Sequence, residues 1–167
     1  MTGLRQYRGV GPGTMVGKLI NDSSHPSDGY SGDDVVNMLT SFFHADGSVP
    51  TPANDHQRFY AVVTPPGINN SLSGAGGQHQ TFTCNGVTAY YCWVNSIGGL
   101  TESVSDGVVN VFSHELVEAC TDPLGNAILV NGRLSDGKKV TNDEIGDACN
   151  NEFAIVEMNG VKCNVQC

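Results

Sequence analysis

Positive charge is scarce in this chain. Its 167 residues include 8 Lys and Arg against 17 Asp and Glu, for a formal net charge of −9. Nucleic acids and anionic membranes are bound through basic patches, so the composition argues against both as main partners. Charged residues make up only 15% of the chain, against about a quarter in average proteins. This weakly charged composition favours a secreted, extracellular protein.

Long hydrophobic runs and several common motifs are also missing. No stretch of about 18 apolar residues occurs, so no segment is predicted to span a membrane. Residues 1–20 lack the apolar core of a signal peptide, so a secreted form is expected to have lost its signal already. The sequence has no P-loop, Gly-x-Ser-x-Gly, Rossmann fingerprint or Cys-x-x-Cys pair. Their absence excludes the usual phosphate loops, serine nucleophiles and cysteine zinc clamps.

The six cysteines are predicted to form three disulfides. Six cysteines in 167 residues are too few for a minimal disulfide scaffold. Their number is even, however, so pairing in an oxidising compartment is the favoured interpretation. Buried free thiols are the alternative. Cys84 and Cys92 flank an expected hairpin turn and are predicted to lie close together. The full set is Cys84, Cys92, Cys120, Cys149, Cys163 and Cys167.

The hydrophobic pattern predicts one α+β domain over residues 1–167, with two main helices on a small mixed or antiparallel sheet and long loops. Residues 1–30, rich in Gly, Ser and Asp, are expected to form an irregular arm. The first helix is capped by Ser31 and ends at Asp46-Gly47. Its apolar stripe, at i, i+3, i+4 and i+7, comprises Val35, Met38, Leu39 and Phe42.

A second helix is predicted at about 103–121, where Asp122-Pro123 ends it. The polar, glycine-containing segment at about 124–150 is predicted to be a loop, and such segments carry function more often than core elements do. Strands are predicted at Thr14–Ile20, Phe59–Thr64, Gln80–Cys84, Thr88–Val94 and Phe153–Met158, with a hairpin turn at Asn85-Gly86.

The residues that indicate chemistry lie on the second helix, in Ser113-His-Glu-Leu-Val-Glu-Ala-Cys-Thr-Asp-Pro123. His114 and Glu118 are four residues apart, so they leave the same helix face and can reach one metal ion. Glu115 lies beside the first ligand, where it can act on a metal-bound water. The spacing is that of the HExxH metalloproteases with Glu118 in place of the second His, and a carboxylate is an acceptable zinc ligand.

An open catalytic zinc site needs a third protein ligand. Asp147, in Glu144-Ile-Gly-Asp147, is the favoured candidate because the predicted loop can fold it back over the helix. Asp122 and Glu144 are the alternates, although Pro123 can turn Asp122 away from the helix face that it continues. His79 is a third possibility, or it stabilises an oxyanion during catalysis.

A second interpretation of the same residues involves no catalysis. Buried ionisable groups must be paired or metal-bound to be tolerated, so His114, Glu118, Asp122 and Asp147 can form a structural polar or metal-binding knot. Calcium is the weaker cofactor alternative to zinc. The acidic residues that could bind it are Asp136, Asp143 and Glu144, and they lack EF-hand spacing.

The motif resembles a group of secreted bacterial and fungal proteins with the pattern SHExxEAxTDP…EIGDxC, distantly similar to the plant EXORDIUM, or phosphate-induced, family. The resemblance implies secretion and a zincin-like arrangement. The plant members lack the His-Glu pair, so it implies the fold more strongly than an activity. It covers about residues 4–150, and the matching segments are Ser113–Pro123 and Glu144–Cys149, with weaker matches in Leu4–Gly9, Tyr60–Gly67 and around His79.

The combined prediction is a secreted zinc-dependent hydrolase, specifically a peptidase acting on a peptide or protein substrate. His114, Glu118 and Asp147 hold the zinc ion. Glu115 takes the proton from the metal-bound water that attacks the scissile carbonyl, and His79 stabilises the resulting oxyanion. The alternative is a non-enzymatic secreted protein acting at a cell wall or surface, in which the cluster is a structural knot.

Overall fold

A computed structural model describes most of the chain. The described residues are 14, 26–45, 49–52, 58–96, 104–126, 129–133, 139–144, 147, 153–158 and 161–166. The predicted N-terminal arm and its strand at Thr14–Ile20 lie almost wholly outside them. The helices and strands are α1 (Gly32–Ala45), β1 (Phe59–Val63), β2 (Gly77–Cys84), β3 (Val87–Val94), α2 (Val104–Thr121), β4 (Leu129–Arg133), β5 (Lys139–Glu144), β6 (Phe153–Met158) and β7 (Val161–Gln166).

A three-stranded mixed sheet lies between the two helices. Its strand order is β1-β3-β2, with β1 parallel to β3 and β2 antiparallel to β3. The β2–β3 hairpin turns at Asn85 and Gly86, whose φ angles of 50° and 77° are both positive, as a tight Asn-Gly hairpin turn requires. The predicted α+β class is confirmed, and the zincin-like arrangement stays a prediction.

The N-terminus of α1 carries the predicted cap. The Asp34 N–H donates to Ser31 Oγ (3.3 Å), and the Ser31 N–H donates to Asp34 Oδ2 (2.8 Å). This reciprocal pair is a capping box with Asp in the acidic position. Two backbone donors that the first helical turn leaves unpaired are thereby satisfied.

The buried stripe of α1 is Val35, Leu39 and Phe43. The prediction of Met38 and Phe42 in this stripe is wrong, because the helix presents i, i+4 and i+8 to the sheet and both side chains are only half-buried. The ring of Phe43 packs against that of Tyr60, with centroids 5.1 Å apart. Aromatic side chains of all three strands thus cover this face of the sheet, and they are Tyr60, Phe82, Tyr91 and Trp93.

The opposite face of the sheet belongs to α2. Because side chains alternate along a strand, His79 on β2 points away from the α1 side, on which Phe82 lies. Its cross-strand partner is Cys92 on β3, which is fully buried. Helix α2 packs against β2 and β3. The register therefore places one histidine on the face of the sheet that the motif helix covers.

The segment predicted as a loop at 124–150 contains a hairpin. Strands β4 and β5 pair in antiparallel fashion, with an irregularity between Val130 and Asn131. The prediction of a loop is wrong here. The apolar start of β4, Leu129-Val130, stops at Asn131-Gly132, and β5 is mostly polar, so neither strand shows the apolar alternation that identifies a strand from sequence. Strand β6 agrees with its predicted bounds, and it pairs with β7 in antiparallel fashion. Neither helix in the described part of the chain is long and apolar enough to cross a bilayer.

The predicted approach of Cys84 to Cys92 is wrong. Cys84 lies opposite Val87 in the hairpin, and Cys92 lies opposite His79. Cys92 is thus five residues along β3 from the partner of Cys84, or about 17 Å at the usual rise of a strand, whereas a disulfide needs Cα atoms within about 7 Å. Cys84, Cys92 and Cys120 are free thiols. The side chains of Cys149, Cys163 and Cys167 lie outside the described residues.

Candidate metal centre

The sheet-facing side of α2 is polar. Asn110, Glu115 and Glu118 are only 4 to 7% exposed, whereas Val109 on the other side is 47% exposed. This departs from the usual pattern of a packed helix, in which mainly apolar residues such as Val111 face the sheet. Buried carboxylates are tolerated only when protons, hydrogen bonds or cations compensate them. The α2–β2 contact therefore contains a site for positive charge.

The first ligand group joins the helix motif to the segment after β5. Nε2 of His114 lies 3.1 Å from Glu118 Oε1 and 3.5 Å from Asp147 Oδ1. One ligand atom from each of the three residues lies within 4.8 Å of the others. Ligand atoms at zinc distances of about 2.0–2.2 Å are about 3.3–3.6 Å apart at a tetrahedral centre. The structure therefore brings the three predicted ligands into a group that could hold a metal ion.

A second ligand group shares Glu118 with the first. One ligand atom each from His79, Glu118 and Glu144 lies within 4.8 Å of the others. Nδ1 of His79 lies 3.3 Å from Glu118 Oε2, and its Nε2 lies 3.6 Å from Glu144 Oε1. The alternate ligand Glu144 is thus at the site, carried there by β5.

Glu115 lies beside both groups without belonging to either. Its side chain is buried, and its Oε2 is 3.6 Å from His79 Nδ1. Burial raises the pKa of its carboxyl, and the nearby charge of Glu118 raises it further, against the opposing effect of the histidines. Glu115 is therefore positioned next to the ligands, as its place in the sequence predicts.

The histidines are held by acidic neighbours. Burial lowers the pKa of His79, but its contacts with Glu115 and Glu118 and the charge of Glu144 outweigh this effect and raise the pKa to about 10. Burial also lowers the pKa of His114, but the contact with Glu118 outweighs this effect and raises the pKa. Burial also disfavours the charged form of Glu118, but its contacts with both histidines lower the pKa of its carboxyl to about 2. The acidic neighbours therefore favour the protonated form of both imidazoles.

Asp122 contributes its backbone rather than a ligand atom. Its side chain is fully buried, and its carboxylate accepts a hydrogen bond from the Asn126 N–H. The Nε2–H of His79 donates to its carbonyl oxygen (3.1 Å). Neither ligand group found among the described residues includes its carboxylate. The turn at Pro123 accounts for this, as the sequence suggested.

Two buried oxygens in the ligand groups accept no hydrogen bond, and they are Glu118 Oε1 and Glu144 Oε1. The 3.1 Å contact of Glu118 Oε1 with His114 Nε2 therefore lacks hydrogen-bond geometry. Leaving a buried polar atom unpaired costs about 1–3 kcal/mol, and more for a charged one. A cation bound in a group would satisfy the unpaired oxygen of that group, so the residues fit a metal ion.

Cys92 lies beneath the site without a chemical part in it. It is fully buried opposite His79. Burial raises the pKa of its thiol, and the charge of Glu115 raises it further. A thiol kept neutral in this way is neither a nucleophile nor a metal ligand.

Gly77 allows α2 to approach β2 closely, and the sequence analysis missed it. A Cβ atom at this position would lie 2.6 Å from Val111 Cγ1, 2.9 Å from Glu115 Oε1 and 2.9 Å from the Trp93 carbonyl oxygen. Only glycine fits there without displacing the helix that carries the ligands. The available signal was a Gly-Gly pair followed by His79, just before the predicted strand Gln80–Cys84.

Gly77→Ala is expected to destabilise the protein by about 1–3 kcal/mol, the usual effect of overpacking, and to weaken metal binding by moving Glu115 and its helix. Gly76→Ala is the matched control. Its Cβ would meet only the Val111 side chain, with Cγ2 at 3.1 Å and Cγ1 at 3.7 Å. The lower entropy of the unfolded alanine variant stabilises it by about 0.4–1 kcal/mol, which offsets this mild crowding. Urea unfolding of both variants measures the difference, and equal stabilities would contradict the close packing.

Comparisons with protein-family models, curated proteins and solved structures gave no match. The resemblance of the Ser113–Pro123 motif to the EXORDIUM-like group therefore stays a prediction. The case for a function depends on the geometry of the site.

Proposed function

We propose that this protein is a zinc-dependent hydrolase that cleaves peptide bonds. One observation carries the proposal: His114 and Glu118 on α2 form a compact group with Asp147, which is distant from them in sequence but was predicted as part of the same ligand set. A buried glutamate, Glu115, lies beside them. This is the combination of ligands and neighbouring base that metal-assisted hydrolysis uses.

The donor set suits zinc. One imidazole and two carboxylates are ligand types that zinc accepts, and three protein ligands leave a fourth position open, as in catalytic zinc sites. When bound there, zinc supplies a Lewis acid and an activated water. Asp147 is 56% exposed at its side chain, whereas Glu118 is 5% exposed. The site therefore opens to solvent on the Asp147 side, from which a substrate can enter.

Glu115 serves as the general base in this proposal. Its carboxylate faces the histidine side of the site, close enough for its charge to act on His114 and Glu118. A carboxylate in that place can accept the proton of the attacking water and pass it to the leaving amine. The assignment of His79 to the oxyanion stays a prediction.

The substrate in this proposal is a peptide or protein outside the cell. The net charge of −9 supports a partner other than nucleic acid or an anionic membrane surface. Secretion is part of the proposal and has its support in the composition alone.

The test is hydrolysis of a diverse peptide mixture by the metal-free protein with and without added zinc, analysed by mass spectrometry. We expect cleavage that depends on zinc, stops with a chelator and is lost in Glu118→Gln. Asp33→Asn is the control, because it removes an exposed carboxylate on α1 and should leave cleavage unchanged. Zinc-loaded protein that cleaves no peptide would contradict the proposal.

A structural metal knot is the second candidate, and one observation favours it. The cluster links β2, α2 and the end of β5 through contacts of His79 with Glu118 and Glu144, so a bound ion would hold three elements together. In this case zinc would stabilise the fold, and no substrate would be turned over. Cleavage by the zinc-loaded protein separates the two candidates.

A further inference from the structure

The carboxylate of Glu118 is placed between the two histidines of the site. Its Oε1 faces His114 Nε2 at 3.1 Å, and its Oε2 faces His79 Nδ1 at 3.3 Å. Each oxygen therefore belongs to a different ligand group. A carboxylate that turns its two oxygens toward different ligand sets is arranged to bridge two cations.

Glu118 is also buried and incompletely paired. Its side chain is only 5% exposed, and its Oε1 accepts no hydrogen bond. Glu144 Oε1, in the group with His79, has no hydrogen-bond partner either, and its 3.6 Å contact with His79 Nε2 is too long for one. Each group thus contains a buried oxygen that a bound cation would satisfy.

His79 has the outer contact that is usual for a ligating histidine. Its Nε2–H donates to the Asp122 carbonyl oxygen at 3.1 Å, which fixes the ring and leaves Nδ1 facing Glu118 Oε2, with Glu115 Oε2 further away at 3.6 Å. Metal-bound histidines almost always donate their other N–H to a carbonyl or carboxylate in this way. The separation of 3.3 Å between Nδ1 and Glu118 Oε2 matches the distance of about 3.3–3.6 Å expected between two ligands of one zinc ion.

We propose that the site binds a second divalent cation, held by His79, Glu118 and Glu144, with Glu118 bridging it to the ion of the first group. The inference rests on the proposed function for the first ion and adds a partner to it. It replaces the oxyanion role of His79 with that of a ligand. With both ions bound, the site would be a two-metal centre, in which two ions can act together on one attacking water and one leaving group.

The test counts ions per chain. The full chain is freed of metal with a chelator, equilibrated with Mn²⁺ or Zn²⁺, and analysed for metal and protein. We expect two ions per chain in the unmodified protein. With Mn²⁺, electron paramagnetic resonance should show the six-line signal of an isolated ion at half loading and a broadened, spin-coupled signal at full loading, because the ions share Glu118.

Glu144→Gln should reduce the count from two ions to one and abolish the spin coupling, because it keeps the shape of the side chain and removes its charge. His79→Asn removes another ligand of the same group and should likewise leave one ion without spin coupling. The test therefore does not depend on the folding of a single variant. Asp147→Asn should also leave one ion, in the other group. Asp33→Asn is the matched control and should keep two. Circular dichroism confirms that each variant is folded.

The outcomes separate this inference from the proposed function. One ion per chain that Glu144→Gln and His79→Asn both retain would overturn the second site and leave the zinc hydrolase standing. Two ions without spin coupling would overturn the bridging role of Glu118. No bound ion at all would overturn both proposals.

Discussion

Glu115→Gln is expected to abolish hydrolysis while the protein keeps its metal. The amide has the size of the carboxylate but cannot accept the proton of the attacking water, and loss of a general base lowers the rate by about 10²–10⁴-fold. Because Glu115 belongs to neither ligand group, metal content should stay at the unmodified level. Steady-state kinetics on a cleaved peptide, with metal analysis of the same sample, measures both effects.

Two variants provide the comparison. Glu118→Gln should lose metal and activity together, because Glu118 is a ligand in both groups. Asp33→Asn should lose neither. A Glu115→Gln protein that binds zinc and still turns over at the unmodified rate would show that Glu115 is not the base.

Zinc is expected to raise the thermal midpoint strongly. An ion that binds only the folded chain stabilises it by about 4 kcal/mol when its free concentration is 1,000 times the dissociation constant. For a chain of this length each kcal/mol shifts the midpoint by roughly 2–4 °C, so the expected shift is roughly 8–16 °C. Calorimetry with zinc and with a chelator measures it.

Glu118→Ala should remove this zinc-dependent shift, because both ligand groups lose a member. The control Asp33→Asn should show the full shift. If the unmodified protein melts at the same temperature with zinc and with chelator, the carboxylates and histidines balance one another without an ion, and the metal centre is wrong.

Local patterns of the sequence predicted much of the fold and the ligands that lie on the motif helix. The motif helix was placed within about a residue of its observed bounds, Val104–Thr121, because Asp122-Pro123 ends it. The spacing of His114 and Glu118 follows from helix periodicity alone. The sequence pattern placed Phe42 in the buried stripe instead of Phe43, its neighbour in the chain. The contact of the Phe43 ring with Tyr60 shows that Phe43 is the buried residue.

Long-range pairing accounts for what the sequence did not predict. The register that sets His79 opposite Cys92 depends on strands finding each other, and a shift by one residue would turn His79 to the α1 side. The polar hairpin of β4 and β5 gives no periodic signal, yet it carries Glu144 to the site. Gly77 matters only because α2 crosses β2 at that point. These features become visible once the tertiary contacts are known.

The most direct measurement is anomalous diffraction at the zinc edge from crystals of the zinc-loaded protein. We expect a peak bonded to His114, Glu118 and Asp147 at about 2.0–2.2 Å from each ligand atom, the usual zinc distances. A map with no peak among these side chains, or with zinc bound only elsewhere on the chain, would contradict the metal centre and the hydrolase proposed from it.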